Sequence, residues 1–129
     1  VNALDAALRA ITPARMDRIR ENAAWLRAAL RAQGCTLIAP DVVASPGVVT
    51  IALEGGLTSV QLGVELEQRG FALNFRSSHL VARNWIQVAL LGDPPRAGLE
   101  RLLNMLRLAL FRQVSPLETS ARKGLACRV

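Results

Sequence analysis

The sequence has 129 residues, 51% hydrophobic and 20% charged, which is one domain's worth of chain with enough apolar material for a packed core. Lysine and arginine outnumber the acids 16 to 10, for a formal charge of +6, yet only Lys123 is a lysine. Aromatics are 4% with no tyrosine, the arginines are dispersed, and no basic motif appears, which argues against nucleic acid as a partner. No apolar run is long enough to span a membrane and no signal segment opens the chain. The two cysteines, Cys35 and Cys127, form no metal or redox spacing and read as unpaired thiols of a reducing cytoplasm. The first residue is Val1 rather than Met, so a fragment, a processed chain or the downstream part of something longer is expected.

Residues 2–11 are rich in Ala and Leu and read as helix. Thr12-Pro13 then supplies a cap and a first-turn proline for a second helix. Met16, Ile19, Ala23, Leu26 and Leu30 form its apolar face, and Gly34 ends it. The arginines from Arg9 to Arg31 are expected on its solvated side. Residues 35–39 read as a short strand, and residues 48–53, after the Ser45-Pro46-Gly47 turn, as the clearest strand of the chain. Thr58 and Gln61 have the spacing of a capping box, which opens a helix that Gly70 terminates. Residues 71–75 read as a strand, 76–83 as a loop and 85–91 as another strand. A final helix carries Leu99, Leu102, Leu103, Leu106 and Leu110 on one stripe, and from Gln113 the pattern dissolves.

The predicted order is therefore helix-strand-strand-helix-strand-strand-helix. An α+β fold follows, with a small antiparallel sheet and amphipathic helices on one face. The predicted division is a domain over residues 1–112, with a long leading helical region over 1–34, and a flexible tail over 113–129.

Four segments within that order are more specific. They are Arg20-Glu21-Asn22-Ala23-Ala24-Trp25-Leu26-Arg27, Ser45-Pro46-Gly47-Val48-Val49-Thr50-Ile51, Leu62-Gly63-Val64-Glu65-Leu66-Glu67-Gln68-Arg69-Gly70-Phe71 and Val88-Ala89-Leu90-Leu91-Gly92. Taken in order, they resemble the C-terminal small domain of class V aminotransferases, pyridoxal-phosphate enzymes of fold type I. The alanine–glyoxylate, serine–pyruvate and aminoethylphosphonate transaminases are the nearest branch. The resemblance implies a homodimeric enzyme whose large domain binds pyridoxal 5'-phosphate and carries the Schiff-base lysine. It implies that this chain orients an amino-acid-like substrate and is inactive alone. Lys123, in a Ser-Ala-Arg-Lys-Gly stretch past the last apolar stripe, does not suit the lysine's role. The alternative is a non-catalytic α+β interaction module descended from such an enzyme. No catalytic, cofactor-binding or metal-binding residue is expected within the chain itself.

In the family an arginine on the strand before the final glycine of the Leu90-Leu91-Gly92 segment pairs with the substrate carboxylate. The matching position here is Gln87, which has no charge for that task. Arg83 lies four residues earlier and would share a face with Gln87 if the strand reached it. Either Arg83 takes over the carboxylate with Gln87 beside it, or the substrate departs from a simple α-amino acid. His79, the single histidine, reads as solvent-facing, and Arg76, Ser77 and Ser78 as a polar loop. Trp25 and Trp85 read as packing residues.

Overall fold

The computed structural model describes the backbone of residues 2–126 and the side chains of residues 2–112. Eight elements follow in order: α1 (Asn2–Arg9), α2 (Pro13–Ala32), β1 (Thr36–Leu37), β2 (Val48–Ala52), α3 (Ser59–Gln68), α4 (Ser78–Arg83), β3 (Trp85–Ala89) and α5 (Arg96–Ala126). The strands form one antiparallel sheet in the order β1-β2-β3. This is the expected α+β arrangement, with an added helix and one strand fewer.

Thr12 caps α2 by accepting the Arg15 N–H at 3.2 Å, with Pro13 in the first turn. Ile19, Ala23, Leu26 and Leu30 are its buried face, as the spacing predicts. Strand alternation then sorts the sheet. Val49 and Ile51 of β2 pair across with Val88 and Ile86 of β3, and all four are buried. Leu62 and Leu66 of α3 and Leu99, Leu102 and Leu106 of α5 join the same core, so α2, α3 and α5 cover one face. Thr50, Trp85 and Gln87 point to the other face, beside which the short helix α4 lies, with His79 and Arg83 meeting the Trp85 ring.

Three segments depart from the sequence expectation. Residues 71–75 are no strand: Asn74 alone pairs, exchanging both backbone hydrogen bonds with Gln87 at 3.0 and 2.9 Å. The segment is held by packing rather than by a ladder. The Phe75 ring is buried directly over Gly63 of α3, where any Cβ would collide with it. That contact explains the glycine inside a helix, where it otherwise costs about 1 kcal/mol relative to alanine. Residues 78–83 are no loop but α4, capped by Ser77 accepting the Leu80 N–H at 3.2 Å and anchored by buried Leu80. A six-residue helix with one apolar anchor leaves no periodicity to read. α5 also runs on to Ala126 in place of the break read at Gln113, while the side chains beyond Arg112, Lys123 included, and all of Cys127 lie outside the described residues.

The arginines of α2 do more than face water. Arg27 and Arg31 both reach Asp41, and Arg27 also donates to the Ser45 carbonyl, so together they hold the loop between β1 and β2. Arg31 foremost, then Arg27, pulls the Asp41 carboxyl below the usual aspartate range. Arg18 reaches Asp93 at 2.7 Å, and Arg96 stacks over the Trp25 ring at 4.3 Å, joining α2 to the start of α5. Trp25 packs against the core as expected.

Asn84, between α4 and β3, takes a left-handed conformation at φ 56° and closes α4. Its Nδ2 donates to the Leu53 and Leu57 carbonyls at 3.0 and 2.8 Å, and its Oδ1 accepts the Ser59 N–H at 2.6 Å. One side chain thereby ties the end of β2, the loop after it and the first turn of α3. Asn84→Ala should destabilise the chain by about 3 kcal/mol, since several buried backbone groups lose partners and a left-handed residue acquires strain. Asn84→Gly should recover only about 1 kcal/mol of that loss. Urea denaturation midpoints with an unchanged slope would establish both values.

Candidate functional site

The open face of the sheet holds Gln87, one of the two predicted site residues. Gln87 sits mid-strand in β3, half-buried, directly opposite Thr50 of β2. Its Nε2 donates to the Thr50 Oγ1 at 3.1 Å, which fixes the amide plane and leaves its carbonyl oxygen free of a protein partner among the described residues. The 73–77 segment, Leu80 and Gln87 line a cleft of about 450 Å3. Buried Phe75 and Leu80 form part of its apolar wall, while Asn74, Arg76, Ser77 and Gln87 supply polar groups.

Arg83 stands elsewhere. β3 begins at Trp85, so Arg83 belongs to the last turn of α4 and does not share a strand face with Gln87. Its guanidinium is 3.0 Å from His79 Nδ1 and 5.4 Å from the centroid of the Trp85 ring. His79 meets the same ring edge-on at 5.7 Å. Trp85 is thus a platform on the open face for an exposed Arg–His pair, not a member of the buried core. The structure places Gln87 in the cleft and Arg83 outside its lining.

The one cation lining the cleft is already engaged. Arg76 forms a two-pronged pair with Glu67 of α3, Nη2 to Oε2 at 2.8 Å and Nη1 to Oε1, and lies 4.4 Å over the Phe75 ring. The guanidinium holds the Glu67 carboxyl below the usual glutamate range. Sequence reading placed Arg76 and Ser77 in a polar loop and passed over Asn74. The only sequence signal for Asn74 is an amide inside an otherwise apolar Phe71-Ala72-Leu73-Asn74-Phe75 stretch.

A second concavity, about 490 Å3, lies between α2 and the start of α5 and is lined by the Arg18–Asp93 pair and Arg96. Its polar groups are spent on holding those two helices together. Among the described residues no group of His, Cys, Asp and Glu could hold a metal ion, and no helix is long and apolar enough to cross a membrane. Cys35 is a free, half-buried thiol, and burial pushes its pKa up, so it remains protonated and a poor nucleophile.

No family model matches the sequence, and no curated protein does. Solved structures do match. Ureidoglycine-glyoxylate aminotransferase from Bacillus subtilis superposes with a TM-score of 0.65 at 23% identity, over 75% of this chain and 25% of that one. A NifS-like protein gives 0.62 at 14% identity, over 74% and 28%. A probable N-succinyldiaminopimelate aminotransferase from Thermus thermophilus gives 0.57 at 26% identity, over 71% and 24%. The resemblance to class V aminotransferases is borne out at the level of the fold. This chain spans about a quarter of the length of the solved chains it matches.

The Arg76–Glu67 pair makes the cleft sensitive to acid. A carboxyl whose folded pKa lies below its unfolded one adds stability that is present above the unfolded value and lost as pH falls through the folded one. Carbon-13 NMR of the Glu67 carboxyl should therefore give a midpoint below that of an exposed glutamate. Arg76→Gln should return the midpoint to the ordinary range.

Proposed function

We propose that this chain is the small-domain portion of a pyridoxal-phosphate-dependent class V aminotransferase, and that it orients the substrate for amino-group transfer when joined to a large domain. The observation carrying this reading is the fold match to a quarter of two aminotransferase chains, with a polar cleft at Gln87. Gln87 is the substrate contact in this reading, and Arg83 stands at the rim of the same face as an auxiliary one.

The described side chains do not fit the role of cofactor holder. They include no lysine to bind an aldehyde cofactor covalently, and the cleft's arginine is paired with Glu67. The cofactor accordingly belongs to the remainder of such an enzyme, and this chain's own part is to bind, orient and screen the substrate from water. A homodimer in the cytoplasm is part of the same proposal, in keeping with a free Cys35.

α1 supports the proposal of a missing partner. It buries none of its residues, and Leu4, Leu8 and the following Ile11 are 66%, 58% and 61% exposed. An isolated helix this short is marginal in water, so an apolar face needs a partner to hold it. The large domain is the partner proposed for it. The same exposed face would also serve a non-catalytic interaction module, which is the second reading.

A chimera decides between them. This chain is placed in the Bacillus subtilis ureidoglycine-glyoxylate aminotransferase in place of its matched quarter, and cofactor absorbance and amino-group transfer are measured. The proposal expects both in the chimera and neither in the isolated chain. A chimera that folds, binds cofactor and transfers no amino group from any of a panel of donors would remove it. Leu8→Asp should weaken docking between the two parts roughly tenfold to a hundredfold, as measured by association of separately expressed pieces. The same substitution should leave the urea midpoint of the isolated chain in place, because Leu8 is exposed there.

A further inference from the structure

We propose that the cleft beside β3 receives a neutral, amide-like group of the ligand, held by Asn74 and Gln87, and disfavours a carboxylate at that point. This deepens the substrate-orienting role proposed above and rests on it for the word substrate. The argument itself comes from an inventory of donors and acceptors.

Gln87 spends one N–H on Thr50, which leaves its second N–H and its carbonyl oxygen for a ligand. Asn74 engages its backbone with Gln87 but makes no side-chain hydrogen bond among the described residues, so its amide offers both a donor and an acceptor. The Ser77 oxygen accepts from Leu80, and its hydroxyl hydrogen remains available. The wall thus presents donors and acceptors together. An amide or urea group, with one carbonyl and one or two N–H groups, satisfies both kinds.

A carboxylate offers acceptors alone and would leave the Gln87 carbonyl oxygen, held in place by the Thr50 contact, facing negative charge. The cation that could offset this is Arg76, and both of its terminal nitrogens are bound to Glu67. Drawing Arg76 away would unpair Glu67 beside an incoming anion. Arg83 cannot substitute from its place on α4, against His79 and Trp85. The neutral pairing follows from what each group has left to give, since a site built for matched donors and acceptors rejects the analogue that leaves its polar groups unpaired.

The probes are acetamide and acetate, which share a size and differ in charge and donor content. Nitrogen-15 NMR of the 129-residue chain at pH 7 and matched ionic strength follows the side-chain amides of Asn74 and Gln87. Acetamide should shift both saturably, with about tenfold higher affinity than acetate, the discrimination expected of one well-made hydrogen bond gained and one repulsion avoided. Gln87→Leu should abolish the acetamide response, and Asn74→Leu, at an exposed position, supplies the same reading if the strand variant does not fold. Equal or stronger shifts with acetate, no shift with either probe, or an acetamide response that survives both substitutions overturns the proposal. A chimera that transfers amino groups while the cleft ignores acetamide sinks this inference and leaves the domain reading standing. Acetamide binding in a chain whose chimera is inert does the reverse.

Discussion

Much of this structure hangs on the Asn84 side chain. Two carbonyls and one amide belonging to three different segments converge on a single planar group, while its backbone turns left-handed to end α4 and release β3. The backbone N–H of Leu53 also donates to the Asn84 carbonyl at 3.0 Å, so the corner is closed from both sides. Because β3 starts at that corner, its register against β2 follows from it, and so does the position of Gln87 opposite Thr50. The cleft is therefore a consequence of a turn, one element away from the residues that line it.

The remaining polar groups fall into two kinds of work. On the helical side, arginines of α2 bind the Asp41 loop and the Asp93 corner, converting a large positive charge into structural pairs. On the open side, Arg76–Glu67 and Arg83–His79 are also paired, but next to unused amides. Exposed ion pairs contribute little to stability, commonly under about 1 kcal/mol each. In the proposal above their larger effect is on ligand choice, because an arginine held by a glutamate no longer advertises a site for anions. The net charge of +6 thus says little about what the cleft prefers.

The aminotransferase resemblance and the cleft chemistry bear on one another through Gln87. In the resemblance, that position holds a carboxylate-binding arginine, and two explanations for its loss were open. The placement of Arg83 on α4 weakens the first, in which a neighbouring arginine takes over. A cleft whose lining arginine is already paired favours the second, in which the ligand itself differs. The exposed apolar face of α1 is the surface proposed above to dock on the large domain.

Where physical signals were local, the sequence alone determined the outcome. Thr12-Pro13, the Thr58–Gln61 capping box and the β-branched run in residues 48–53 each act within a few residues, and each gave the expected type of element, the strand ending at Ala52. The apolar faces of α2 and α5 were legible for the same reason, as was Gln87 on a strand. Residues 71–75 and 78–83 were misread because their conformations answer to distant partners: Phe75 to Gly63, Arg76 to Glu67, and Asn84 to the carbonyls of residues 53 and 57. No periodicity records such contacts. Composition and pattern determined an α+β fold with a small antiparallel sheet. Tertiary structure decided which arginine stands at the cleft and whether its charge is free, since both depend on groups that meet only once the chain has closed on itself.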